Sequence, residues 1–171
     1  MRSAAMRLGP GLEEGVTLGP MINEAGRDKV LDLLDDALRQ GARVHLPGGR
    51  QQGLFLAPSV LSGVHDGMRL WSEEIFGPVM ALRSFRSDEE ALRLANDTPW
   101  GLAAYLYTRD NARAWRMSEG LEFGMVGVNT GMVSTAVAPF GGVKQSGYGR
   151  EGSRHGVEEY TQLKYTAVEL G

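Results

Sequence analysis

Two stretches of this sequence combine residues able to do chemistry with residues able to hold them still. The first is Glu73-Glu74-Ile75-Phe76-Gly77-Pro78. An acidic pair on its own reads as a solvated loop. Here Gly77 permits backbone geometry that other residues resist and Pro78 forbids a helix, which sets the carboxylates and the phenyl ring on a fixed corner. A carboxylate held in this way can accept two hydrogen bonds from the vicinal hydroxyls of a ribose, and a neighbouring ring can pack on a nicotinamide. The second stretch is Pro139-Phe140-Gly141-Gly142-Val143-Lys144-Gln145-Ser146-Gly147-Tyr148-Gly149-Arg150-Glu151-Gly152. Its glycines invite a phosphate-loop reading, which fails. The run does not fit G-x-x-x-x-G-K-[ST], and Gly147-x-Gly149-x-x-Gly152 follows a loop instead of a strand.

Between them lies Asn129-Thr130-Gly131-Met132-Val133-Ser134-Thr135, where Ser134 offers a hydroxyl that in a loop is most simply a solvated one. His45, His65 and His155 lack the spacing and acidic companions of a metal site, so they read as surface or packing residues and no metal is expected. Asp88-Glu89-Glu90 reads as a helix N-terminus, favourable against the helix dipole, and not as a catalytic dyad. Cysteine is absent, so the sequence holds no thiol nucleophile, disulfide or zinc-thiolate site.

The elements that must position these residues are legible from periodicity. Val30, Leu33, Leu34, Ala37 and Leu38 fall on one helical stripe, with Asp32, Asp35, Asp36 and Arg39 outside it and Gly41 as the stop. Extended pieces follow at 42–46 and 55–61, the latter edged or bulged by Pro58, and then at 79–85. Ser87 and Glu90 have capping-box spacing for a helix through Ala95. A strand is expected at 102–107, a helix capped by Asp110 and stopped by Gly120, and a buried strand at 125–129. Residues 156–160 suggest a helical turn, and 162–170 a terminal strand with Leu163, Tyr165 and Ala167 on one face. Trp71, Trp100 and Trp115 are expected in the core. Strands alternating with helices imply an α/β fold, with a largely parallel sheet and flanking helices.

At 171 residues the chain is long enough to bury a real core. With 42% hydrophobic and 23% charged residues, its composition is that of an ordinary soluble globular protein. A formal net charge of -3 gives no electrostatic reason to expect nucleic acid or an anionic membrane as partner. No apolar run approaches the roughly 20 residues that span a bilayer, and the first residues lack the apolar stretch of a secretory signal; the default location is the cytoplasm.

Taken in this order and separation, the Glu73–Pro78 and Pro139–Gly152 motifs resemble the C-terminal part of the aldehyde dehydrogenase superfamily, over about Met6 to Leu170. The residues after Asn129 are most similar to the succinate-semialdehyde dehydrogenase branch. The resemblance implies NAD(P)+-dependent oxidation of an aldehyde to a carboxylic acid by a cysteine thiolate, with NAD or NADP as coenzyme. It maps Glu74 to the nicotinamide-side ribose and Phe76 to the nicotinamide, and gives Glu73 no role. Phe140 corresponds to the aromatic that lines the aldehyde access path. Ser134, five residues before Pro139, corresponds to the serine that helps bind the distal carboxylate of the substrate. The nucleophile and general base of the family lie upstream of this sequence, so no catalytic residue is assigned and the chain alone is expected to be inactive. Residues 1–155 would be a partial catalytic domain and 156–171 an oligomerisation segment. The partners implied are a small aldehyde, the N-terminal part of the enzyme and further copies of the subunit. The other reading is a stand-alone truncated module that binds or oligomerises without catalysis.

Overall fold

The computed structural model describes residues 2–171. Asn23, in extended conformation, accepts the Gly26 N–H on its side-chain oxygen at 2.8 Å and opens helix α1, Glu24–Arg39. The apolar stripe of α1 buries Val30, Leu33, Leu34 and Ala37, as the 3.6-residue period requires. Gly41, at φ +92°, turns the chain out of the helix through the left-handed region that glycine tolerates. Strand β1 (Arg43–Leu46), the short strands β2 (Gly49–Arg50) and β3 (Leu56–Ala57), strand β4 (Ser59–Ser62), the single-turn helix α2 (Arg69–Ser72) and strand β5 (Val79–Leu82) follow. β1, β4 and β5 form one sheet in that order. β1 runs antiparallel to β4 and β5 parallel to it, with Ser59 beside Val79. Residues 55–61, read as one extended piece, divide at Pro58, which has no N–H to give a ladder. Leu33, Leu61, Met68, Val30 and Val60 are fully buried.

Residues up to Ser84 form one compact unit and Phe85–Gly171 a second. In the second, the Ser87 hydroxyl accepts the Glu90 N–H at 3.2 Å and caps helix α3 (Asp88–Asn96). The Glu90 carboxylate reaches back to the Arg86 N–H, one residue earlier than in the standard capping box. Strands β6 (Trp100–Gly101) and β7 (Ala103–Leu106) precede helix α4 (Asn111–Gly120), which Asp110 caps. Strands β8 (Met125–Val128) and β9 (Val143–Lys144) and the turn of helix α5 (His155–Glu158) complete the unit. β7 and β8 pair in parallel from Ala103 opposite Met125 to Leu106 opposite Val128, while β6 and β9 pair antiparallel.

The α/β class is seen, but the parallel character is confined to two pairs. The described strands make four small sheets, and β1–β4, β2–β3 and β6–β9 are antiparallel. Parallel pairing needs a crossover between strands, and only the 63–78 segment with α2, and α4, supply one here. Two further expectations are corrected. Residues 162–170 join no ladder with any described residue and are exposed throughout, because a strand requires a hydrogen-bonded neighbour. Trp71 is half-buried beneath the Arg83 guanidinium, but Trp115 is 70% exposed and Trp100 is exposed as well. Helix α4 buries none of its residues, so Trp115 has no core to enter within the described residues.

Candidate functional site

The Glu73–Pro78 corner is held from both ends by the first unit. Glu73 follows α2, and its N–H bonds the Arg69 carbonyl at 2.8 Å. The Arg69 guanidinium returns two bonds to the Glu73 carboxylate, at 2.7 and 3.2 Å, and a third to Asp32 of α1 at 3.4 Å. The Asp36 carboxylate accepts the Arg69 backbone N–H at 3.0 Å. This pairing with Arg69 holds the Glu73 carboxyl below the ordinary carboxylate range. Beyond it, Lys29 of α1 donates from Nζ to the Glu74 carbonyl at 2.6 Å. At the far end, Gly77 lies so close to α1 that a Cβ there would stand 2.6 Å from a Val30 methyl, and the Pro78 carbonyl accepts the Ser59 N–H at 2.9 Å.

Between these anchors the side chains alternate. Glu73 and Ile75 turn toward the protein, Ile75 packing on the core, while Glu74 and Phe76 turn to solvent. Phe76 is 79% exposed and sits at φ +51°, a left-handed conformation that a bulky L-residue rarely adopts. A carboxylate and a phenyl ring two residues apart thus face outward on a braced backbone, one able to accept hydrogen bonds and the other to pack on a flat ligand. The resemblance transfers no role to Glu73, and the structure adds this clamp. Its local signal was the i,i+4 spacing of Arg69 and Glu73, while Lys29, Asp32 and Asp36 along one flank of α1 look like any solvated helix face.

In the second unit Asn129 ends β8 at φ +56°. Its amide accepts the Thr108 N–H and donates to the Thr108 carbonyl, both at 2.8 Å, prolonging the β7–β8 pairing by one step through a side chain. The loop that follows carries Ser134, which is exposed. The Ser153 N–H bonds the Ala136 carbonyl at 3.0 Å, and Phe140 exchanges two backbone hydrogen bonds with Glu151, both at 2.8 Å. Phe140 itself is half-buried. It borders a cleft of about 650 Å³ lined also by Tyr148, Arg150, Val157 and Tyr160.

The glycine-rich run binds itself. A Cβ on Gly124 would lie 2.0 Å from the Gly141 carbonyl oxygen. The Arg150 guanidinium donates to the Gly142 and Gly149 carbonyls at 2.8 and 2.6 Å. The Lys144 ammonium is spent on the Asn96 and Thr98 carbonyls and on Glu122. These are structural contacts, and the cations of the run are turned inward. Among the described residues no three His, Cys, Asp or Glu side chains gather as a metal site, and no helix is long and apolar enough to cross a membrane. Glu74 and Phe76 therefore share one corner of the first unit, and Ser134 and Phe140 belong to the loop and glycine-rich run of the second.

Residues 1–166 match the family model described as the aldehyde dehydrogenase family. The chain belongs to the aldehyde dehydrogenase family, whose members are NAD(P)-dependent oxidoreductases acting on aldehydes. It is 52% identical over 167 residues to a mitochondrial succinate-semialdehyde dehydrogenase of Oryza sativa subsp. japonica, covering 96% of this chain and 32% of that protein. It is 50% identical over 169 residues to a 3-sulfolactaldehyde dehydrogenase of Pseudomonas putida, covering 97% of this chain and 35% of the relative. The crystal structure of a succinate-semialdehyde dehydrogenase from Burkholderia pseudomallei superposes with a TM-score of 0.88 at 53% identity, over 93% of this chain and 33% of that one. The chain thus spans about a third of the length of the curated relatives it matches.

Proposed function

We propose that this chain forms the C-terminal portion of an NAD(P)+-dependent aldehyde dehydrogenase that oxidises succinate semialdehyde to succinate. The observation that carries this reading is the corner at 73–78, where the backbone is pinned on both flanks and only Glu74 and Phe76 face outward. A bound nicotinamide coenzyme supplies the hydride acceptor. Glu74 accepts hydrogen bonds from the ribose hydroxyls and sets the orientation of the ring they carry. Phe76 covers apolar surface beside it and keeps water away. Ser134 donates its hydroxyl to the distal carboxylate of the substrate, and Phe140 walls the aliphatic middle. Identities of 52% and 53% to succinate-semialdehyde dehydrogenases support that substrate. The present sequence contains no cysteine, so the thiolate nucleophile comes from the remainder of the polypeptide.

A second reading is favoured by the 50% identity to a 3-sulfolactaldehyde dehydrogenase, since a hydroxyl donor serves a sulfonate as well as a carboxylate. Steady-state kinetics on the complete enzyme separate the two. Succinate semialdehyde is expected to have the higher kcat/KM, and a reversal in favour of 3-sulfolactaldehyde would move the assignment to a sulfonate. Ser134→Ala should lower kcat/KM for succinate semialdehyde about tenfold and leave a neutral unbranched aldehyde of similar length nearly unchanged. Equal losses on both substrates would strip Ser134 of its role. The 171-residue chain alone should produce no NAD(P)H above a blank.

A further inference from the structure

We infer that Glu159 is a positioning residue for the aldehyde, acting on Phe140 through the glycine-rich run. The inference rests on the proposed role of Phe140 as a wall beside the substrate. The backbone that carries this ring is held by a return of the chain upon itself. Phe140 and Glu151 exchange two backbone hydrogen bonds, both at 2.8 Å. The Arg150 guanidinium takes the Gly142 and Gly149 carbonyls at 2.8 and 2.6 Å. In an antiparallel pairing of this kind alternate peptides face away from the partner segment, so the Arg150 N–H needs an acceptor elsewhere. The Glu159 carboxylate supplies it, accepting that N–H at 3.2 Å.

Two glycines prepare the approach of Glu159. Gly152, at φ +71°, turns the chain toward α5, whose start is tied down by the Gly156 N–H on the Gly152 carbonyl at 2.9 Å. That single turn brings Glu159 back over the run the chain has just left. Gly149 lies beneath it at φ +77°, and a Cβ there would stand 2.8 Å from the Glu159 carboxyl carbon. The carboxylate therefore closes on bare backbone. The same two glycines make residues 149–152 easy to reorder, so the segment that supports Phe140 needs an external tie. Glu159 is that tie, and it borders the same cleft as Phe140. Losing its bond releases the Arg150 peptide, loosens the bridge at Glu151 and leaves the Phe140 ring without a fixed place. A wall set in advance favours substrate affinity, because binding no longer has to order it.

The test uses the complete enzyme, with succinate semialdehyde and whichever of NAD+ or NADP+ it turns over as the probes. Glu159→Ala should raise the KM for the aldehyde about three- to tenfold and leave the KM for the coenzyme within about twofold of the parent. Glu159→Gln, which keeps an acceptor oxygen at the same reach, should restore most of the loss. Phe140→Ala serves as the control for the underlying reading and should raise the aldehyde KM by at least as much as Glu159→Ala. In the Phe140→Ala background, Glu159→Ala should add no more than about a twofold rise, since no ring is left to position. If Phe140→Ala impairs aldehyde binding and Glu159→Ala does not, the positioning role is overturned and the wall stands. If Phe140→Ala changes nothing, the wall falls and the role of Glu159 with it. Fully multiplicative effects in the double variant would show that Glu159 does not act through Phe140, and would overturn the inference. So would a lowered melting temperature with both KM values shifted alike and unrelieved in Glu159→Gln, which would make Glu159 a merely structural residue.

Discussion

Glu73 and Glu74 are chemically identical neighbours with different work, and the pleat of the extended backbone divides it. One carboxylate is turned inward to Arg69 and the other outward to solvent. The inward one has a consequence for acid stability. Its carboxyl is held below the ordinary range by the Arg69 pairing, so at mildly acidic pH the folded chain binds fewer protons there than the unfolded chain. The stability it contributes is complete above the unfolded value, about 4.3 for a glutamate, and is lost as pH falls through the lower folded value. Glu73→Gln should therefore lower the melting temperature at neutral pH and flatten the acid limb of the melting curve, measured by circular dichroism across pH 7 to about 3. Parallel curves for parent and variant would show that the ion pair gives no pH-linked stability.

Helix α1 serves the corner with two of its faces. The apolar stripe of Val30, Leu33, Leu34 and Ala37 anchors it in the core, and the flank bearing Lys29, Asp32 and Asp36 receives α2 and the residues that follow. Val30 belongs to both, since its methyls fill the space that a side chain at position 77 would need. Gly77→Ala should overpack this contact and cost about 1–3 kcal/mol in urea denaturation. Val30→Ala opens space at the same point but leaves a cavity. The double variant should accordingly be more stable than the sum of the two single losses predicts, because each substitution relieves part of the defect of the other. Strict additivity would mean that the corner shifts away from α1 instead of pressing on it.

The burial of apolar residues is unevenly shared across the molecule. A contiguous core from Val30 to Leu70 fills the first unit, whereas the buried hydrophobic side chains of the second are Leu94, Leu121 and Met125. On the second unit Tyr105, Tyr107 and Trp115 are exposed, and beyond α5 so are Leu163, Tyr165, Val168 and Leu170. Surfaces of this kind associate. Light scattering on the isolated chain at micromolar concentration should give a mass above that of a monomer, decreasing when residues after Tyr160 are removed. A sharp monomer peak together with a cooperative melt would show that these side chains need no cover.

What the sequence determined by itself is what acts over short spans. The spacing from Val30 to Ala37 selects a helix and its buried face, and Ser87 and Asp110 mark the starts of α3 and α4, because periodicity and capping operate within about two turns. The two motifs likewise identify the aldehyde dehydrogenase family, since the order of residue types within each is a local property. Only the tertiary structure decided the rest. Lys29 meets the Glu74 carbonyl across 45 residues of chain, and Arg69 meets Asp32 across 37. Neither contact leaves a periodic trace, because each depends on where the chain closes on itself. The same holds for the sheets, whose strands are legible locally while their antiparallel and parallel partners are set by the path between them. Trp115 shows the converse: an aromatic residue on a helix suggests a core, but burial requires a facing element, and within the described residues none covers it.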